Sequence, residues 1–222
     1  MNHPSLDLLA PKLAAHLDCT QDGACQQILQ ALAETGQPLP PDHLARRLLM
    51  SQESLMAHLV RIPDTEFDEQ GNILGWGITL VPTQHQFLVK GRSLFTWCAF
   101  DTVLFPSLLQ AKAQVQSTCK TTGQPIAFIA TPEGITDLTP ATSMLSLPLP
   151  SARCECVRGT FCAQSHFFQT REVALPWITL HPEALLLSVE EAAALGHLTT
   201  QKAFLFEPEM PLNSSESQSE RR

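Results

Sequence analysis

Through the first sixty residues, apolar positions recur every three or four residues, the spacing of one helix face. Pro4 and Ser5 open a first helix that runs through Leu17. Asp22 caps a second, in which Ile28, Leu29 and Leu32 share a face and Gly36 is the stop. Asp42 begins a short helix carrying Leu44, Leu48 and Leu49, and Ser51 caps another carrying Leu55, Leu59 and Val60. Two short helices joined by a tight turn have the form of a helix-turn-helix. The polar run Asp68-Glu69-Gln70-Gly71-Asn72 then signals a turn between Thr65–Phe67 and the strand-like Ile73–Val81. That is where a winged helix carries its wing.

Beyond residue 83 the pattern changes. Residues 84–93 read as a strand and a turn ending at Gly91-Arg92. Leu94–Leu109 reads as a mostly apolar helix disturbed by Pro106. Val115–Cys119, Ile126–Ala130, Met144–Leu147 and Gly159–Phe168 are short strand candidates separated by Pro and Gly. Ser188-Val189-Glu190-Glu191 has the form of a capping box and opens a last helix that ends near Phe204. The Ser-, Glu- and Gln-rich end, Asn213–Arg222, has the composition of a disordered segment. The expected fold is α+β. A winged-helix-like helical N-terminal part spans residues 1–82, a core of antiparallel strands with flanking helices spans 83–208, and a disordered tail spans 209–222.

Composition narrows the function. Hydrophobic residues make up 44% and charged residues 16% of 222 residues, enough to build a core without a metal or disulfide staple. The charge balance, 14 basic minus 22 acidic residues, is −8, which argues against a broad nucleic-acid or anionic-lipid face. The helix that would read DNA, Gln52–Arg61, offers His58 and Arg61 but also Glu53. Asp7, Lys12, His16 and Asp18 interrupt Met1–Thr20, so no secretion signal is expected there. The longest uncharged stretch, Asn72–Val89, holds Gly75, Gly77 and Pro82 and does not read as a membrane span. A cytoplasmic location follows as the expectation, and with it thiols rather than disulfides for seven cysteines, an odd count.

Two segments carry candidate chemistry. In a helix, Cys98 and Asp101 would share a face with Cβ atoms about 5–6 Å apart. Trp97, Phe100, Val103, Leu104 and Phe105 surround them with apolar surface, and desolvation raises a carboxyl pKa. Such a group can hold and deliver a proton near neutral pH. A local cap beside a packed thiol is the plainer alternative. In the second segment, Arg158–Phe168, a strand would put Thr160, Cys162, Gln164 and His166 on one face and Phe161, Ala163, Ser165 and Phe167 on the other. His166 reads as structural. Cys154-x-Cys156 lacks the spacing of a zinc site. Cys19, Cys25 and Cys119 read as ordinary small hydrophobes. There is no phosphate-binding glycine loop, no G-x-S-x-G elbow and no H-E-x-x-H.

The run Trp97-Cys98-Ala99-Phe100-Asp101-Thr102-Val103-Leu104-Phe105-Pro106 resembles the W-C-A-x-D-x-x-x-F-P signature of the bacterial organomercurial lyases. Phe161-Cys162 followed by His166-Phe167-Phe168 is similar to that family's second cysteine segment, and Val115–Pro125 and Glu66–Leu80 also fit. The resemblance implies a winged-helix-like part followed by a core of antiparallel strands and helices. It also implies cleavage of carbon–mercury bonds by protonolysis, giving a hydrocarbon and Hg(II). Its catalytic residues map onto Cys98, Asp101 and Cys162, which would also hold the mercury of substrate and product. Cys119 maps onto a structural cysteine, while Cys154 and Cys156 fall outside the catalytic set. No organic cofactor is implied. Free thiols such as glutathione or cysteine act as co-reactants, and a mercuric reductase accepts the product. Neither nucleic acid nor membrane is an expected partner, and the expected state is a monomer or weak homodimer. A metal-responsive winged-helix regulator and a noncatalytic mercury-binding thiol protein are the alternatives.

Overall fold

The computed structural model describes residues 5–17, 24–60, 62, 64–149 and 157–204. Helices α1 (Leu6–Leu17), α2 (Ala24–Thr35), α3 (Pro41–Arg47) and α4 (Gln52–Leu59) come first. Gly36 ends α2 at φ +64°, as its position suggests, and the Ser51 hydroxyl caps α4 by accepting the Ser54 N–H at 3.1 Å. Ile28, Leu29, Leu32, Leu44, Leu55 and Leu59 are buried. Leu49 and Val60 are not: α3 stops at Arg47, Leu49 turns out at φ 54°, and both side chains face solvent. Asp22 and Arg61 lie outside the described residues. Cys25 is disulfide-bonded, contrary to the expectation of a free thiol.

Eight strands form one antiparallel sheet in the order β1 (Glu66–Phe67), β2 (Ile73–Trp76), β3 (Ile78–Thr79), β5 (Arg92–Thr96), β4 (Gln86–Val89), β6 (Ala113–Thr118), β7 (Pro125–Thr131), β8 (Gly134–Thr139). The polar turn at 68–72 joins β1 to β2, with Asp68 accepting the Gln70 and Asn72 N–H groups. The stretch Ile73–Val81 is split at Gly77 (φ +71°), where β2 folds back on β3. A second, three-stranded sheet runs β10 (Phe167–Phe168), β9 (Met144–Pro148), β11 (Ala184–Ser188). Helix α7 (Arg171–Leu180) precedes β11. Helix α8 (Val189–Phe204) follows it, opened by the reciprocal Ser188–Glu191 bonds at 2.8 and 3.1 Å. The α+β class stands, with β8, α7 and β11 added to the expected elements.

Two expectations fail in ways that matter for the site. Leu94–Trp97 is not helical. A two-residue turn, Lys90 (φ 51°) and Gly91 (φ 74°), pairs Val89 with Arg92 and carries the chain into β5. Helix α5 (Ala99–Leu109) begins only after it. From Leu94 on, strand and helix are both largely buried, so one mostly apolar run covers both. Gly159–Phe168 is likewise not one strand. It forms the short helix α6 (Val157–Thr160), a 3₁₀ turn (Cys162–Gln164) and β10. The alternating faces assigned to Thr160, Cys162, Gln164 and His166 therefore do not exist.

Helix α5 is buried almost all round, packed on α8, α2 and β7. At Gly196 of α8 a Cβ would stand 3.1 Å from the Val103 carbonyl oxygen, so the missing side chain permits the close α5–α8 approach. No helix among the described residues is long and apolar enough to cross a membrane.

Candidate active site

The sequence places a cysteine where strand β5 becomes helix α5. Trp97, just past β5, is still tied to the sheet's edge: its N–H donates to the Gly77 carbonyl at 2.9 Å. Cys98 is then the N-cap of α5, with extended backbone (φ −145°, ψ 173°), and Asp101 is the third residue of the helix. The two form a capping box. The Asp101 Oδ2 accepts the Cys98 N–H at 3.1 Å, and the Asp101 N–H is directed at the Cys98 sulfur. Thr96 fixes the corner by donating its hydroxyl to the Cys98 carbonyl at 3.0 Å. The pair is adjacent as expected, through a helix cap rather than along a helix face.

Cys162 arrives from the opposite direction, at the first residue of the 3₁₀ turn. That turn is anchored on β9, where the Ser146 hydroxyl donates to the Gln164 carbonyl at 2.8 Å and accepts the His166 N–H at 3.0 Å. It is anchored on α5 through Ser165, whose carbonyl and hydroxyl oxygens accept the Ala99 and Phe100 N–H groups at 3.3 and 3.0 Å. One sulfur from Cys98, one from Cys162 and a carboxylate oxygen of Asp101 thus lie within 4.8 Å of one another, all three residues buried. Two thiols and a carboxyl form a soft donor set suited to a thiophilic ion.

The residues flanking the cluster in the chain include aromatics, which pack on one another. Trp97 meets Trp76 edge to face at 5.9 Å, and Phe100 meets Phe161 at 6.1 Å. The Arg158 guanidinium lies over the Trp97 ring, 5.2 Å from its centroid, and pairs with Glu66. The Arg158 backbone N–H donates to Asp64 Oδ2 at 2.9 Å.

This dry enclosure sorts the protons. Burial, then the adjacent Cys98 sulfur, hold the Asp101 carboxyl well above the usual carboxylate range. For Cys98, burial acts to raise the thiol. Hydrogen bonds from the Cys162 thiol, the Asp101 N–H and the Ser165 hydroxyl outweigh it and bring Cys98 below its ordinary value. Cys162 is pushed well up by donating to Cys98, by burial, and by the charges of Cys98, Asp101 and Asp64. The shifts run in a consistent sense: the proton is held more tightly on Asp101 and Cys162 and less tightly on Cys98.

The remaining candidates sit elsewhere. Cys119 is buried just past β6, inside the turn where its carbonyl accepts the Gly123 N–H at 2.9 Å, and is not part of the cluster. His166 is buried against the edge of Trp177 and kept neutral by burial, its pKa lowered to about 4. Cys19, Cys154 and Cys156 lie outside the described residues. Sequence reasoning missed Ser165, which it put on the face away from Cys162. An interrupted turn leaves no periodicity that would have revealed it.

Comparison with known proteins gives the family. The alkylmercury lyase (MerB) family model matches residues 78–201. The chain is 43% identical to an alkylmercury lyase of Pseudomonas putida over 75% of this chain and 78% of that protein. It is 39% identical to one of Streptomyces lividans over 78% and 80%. A third, from Staphylococcus epidermidis, is 36% identical over 85% of each chain. Among solved structures, the mercury-bound form of MerB2 superposes with a TM-score of 0.73, covering 89% of this chain and 98% of that one at 22% identity.

Proposed function

The chain belongs to the alkylmercury lyase family, and from that premise we propose that it cleaves carbon–mercury bonds by protonolysis at Cys98, Asp101 and Cys162. The observation that carries this reading is the meeting of two sulfurs and a proton-holding carboxyl within 4.8 Å, all three residues buried.

The organomercurial arrives as an adduct of a small thiol, such as glutathione or cysteine. The Cys98 thiolate attacks mercury and displaces the carrier thiolate, so one mercury–sulfur bond forms and one breaks. Cys162 then adds as the second thiolate, its proton passing to the Asp101 carboxyl as Asp101 gives its own proton to carbon. Two thiolates load electron density onto mercury and its carbon, and Asp101 protonates that carbon. The carbon–mercury bond breaks, the hydrocarbon leaves, and the proton from Cys162 restores Asp101. The products are one hydrocarbon and Hg(II) on Cys98 and Cys162, with an Asp101 oxygen beside it. No oxidation state changes, so the chemistry calls for no organic cofactor. The flanking aromatics suit an alkyl or aryl group and exclude water.

Two small thiols displace Hg(II) and reprotonate the cysteines, and a mercuric reductase is the acceptor in this reading. The N-terminal helices and the β1–β2 hairpin act as a packing unit in the manner of a winged helix, not as a DNA reader. The acidic balance of −8 supports that choice. The test is headspace gas chromatography after adding methylmercury and excess thiol. Methane released over many turnovers by the wild type, and lost in Cys98→Ser, supports the reading. Mercury uptake without methane would refute it.

A further inference from the structure

Cys98 and Cys162 are 64 positions apart, and one residue ties their two segments together. Ser165 is fully buried. Its N–H donates to the Cys162 carbonyl at 3.2 Å, closing the 3₁₀ turn. Its carbonyl accepts the Ala99 N–H at 3.3 Å and its hydroxyl oxygen accepts the Phe100 N–H at 3.0 Å. These are the first two N–H groups of α5, the helix that Cys98 caps. They have no acceptor within the helix. With a lone pair committed to Phe100, the hydroxyl still has its hydrogen to place, at the start of the helix that Cys98 caps.

We propose that Ser165 is a positioning residue for the reaction: its hydroxyl holds the Cys98 sulfur in place while its backbone fixes the Cys162 turn against the start of α5. The proposal rests on the reading of Cys98 and Cys162 as the mercury-binding pair, and it assigns the alignment of that pair to a third residue. A hydrogen bond to a thiolate is charge-assisted and directional. It fixes which way the sulfur's remaining lone pairs face. A helix cap alone would satisfy the Phe100 N–H but would leave the sulfur's orientation to chance.

The test compares Ser165→Ala and Ser165→Thr with the wild type, in the full chain, using two probes. The first is the ultraviolet sulfur-to-mercury charge-transfer band of the Hg(II)-loaded protein. A hydrogen bond stabilises the sulfur lone pairs, so its loss moves the band to longer wavelength. The second is methane release in a single turnover of methylmercury. Ser165→Ala is expected to show the red shift and about a tenfold slower release, the scale of one hydrogen bond to a charged group. Ser165→Thr, which keeps the hydroxyl, is expected to hold the wild-type band and a rate within about twofold. An alanine variant with wild-type band and rate that loses only thermal stability overturns the proposal, leaving Ser165 a helix cap. A threonine variant displaced as far as the alanine one also overturns it. If Ser165→Ala does not fold, Ser165→Val against Ser165→Thr decides the same question at equal shape. Cys98→Ser in the same assays separates the underlying reading: if it keeps both band and methane, the assignment of the pair itself is wrong.

Discussion

Cys98 and Asp101 cap the same helix reciprocally. The Asp101 carboxylate accepts the Cys98 N–H at 3.1 Å while the Asp101 N–H is directed at the Cys98 sulfur. A capping box normally uses Ser or Thr and Glu or Gln, and its role is to satisfy orphan N–H groups. Here the same geometry sets a thiol beside a carboxyl in a dry pocket. The helix N-terminus favours negative charge. Hydrogen bonds on Cys98 bring its thiol pKa down, while burial pushes the Asp101 carboxyl up.

Replacing Asp101 by Asn keeps an oxygen for the Cys98 N–H and removes the transferable proton. Methylmercury capture is expected to survive, and methane release to slow by about 10²–10⁴-fold, the usual worth of a positioned general acid. Near-normal methane production from Asp101→Asn would show that the proton comes from elsewhere. The same substitution has a signature in stability. The folded-state pKa of Asp101 is raised, so between about pH 4 and that pKa the native chain binds more protons than the unfolded one. Wild-type stability therefore declines as pH rises through this window. Asn lacks that decline, so the Tm of the variant relative to wild type should climb from pH 4 toward neutrality.

The two cysteines should fail differently. Cys98 is the cysteine whose thiol pKa is brought down, so Cys98→Ser is expected to lose both capture and turnover, leaving below about 0.1% of the wild-type rate. Cys162→Ser should still form a one-to-one methylmercury adduct, visible by intact-protein mass spectrometry, while releasing no methane. Cys119→Ser, outside the cluster, should turn over within about twofold of wild type, as expected of a surface-remote packing change. Adduct formation by Cys98→Ser at the wild-type rate would reverse the order of attack.

The chemistry was more legible in the chain than the elements that deliver it. Cys98, Asp101 and Cys162 could be named because residue type and the flanking motif single them out. Their geometry could not. Periodicity fails where an element is buried on nearly every side, and in Leu94–Leu109 even the polar Thr96, Asp101, Thr102 and Ser107 are buried, so polarity does not mark where β5 stops and α5 starts. The α6–3₁₀–β10 segment fails for the opposite reason: three elements of two to four residues are too short to show any period. The caps were readable, as Ser51 and the Ser188–Glu191 pair demonstrate. At the site only half of the cap was readable: Asp101 as a local cap was one alternative, while Cys98 as the N-cap was not, because cysteine is an unusual N-cap and reads as a core residue.

Gly77 offers a test of how tightly the corner is held. It sits at φ +71°, its carbonyl accepts the Trp97 N–H, and a Cβ there would meet the Phe105 ring at 2.5 Å. Gly77→Ala combines left-handed strain with overpacking against α5, together about 3 kcal/mol. For a domain of this size that corresponds to roughly 10 °C in Tm. Because Trp97 precedes Cys98 directly, turnover should fall with stability. A variant within about 2 °C of wild type in thermal unfolding would contradict the packing described.

Acid stability should be governed by a histidine far from the chemistry in sequence. His85 is buried, its Nδ1 2.8 Å from the Ser117 hydroxyl and its Nε2 3.1 Å from the Gln84 amide nitrogen. An Nε2 that accepts from an amide cannot also carry a proton, and burial, then repulsion from His166, lower the pKa of His85 to about 3. Its unfolded value is about 6.5. Between those values the unfolded chain binds the extra proton, so stability is full above pH 6.5 and is lost as pH falls toward 3. The slope for one such group is about 1.4 kcal/mol per pH unit, and His166, lowered to about 4, adds its own share over the upper part of the window. His85→Gln retains a polar partner for Ser117 but cannot take up a proton. Urea unfolding at a series of pH values between 7 and 4 should give a shallower loss of stability for the variant. Parallel curves for the two proteins would mean that His85 is already protonated in the folded state.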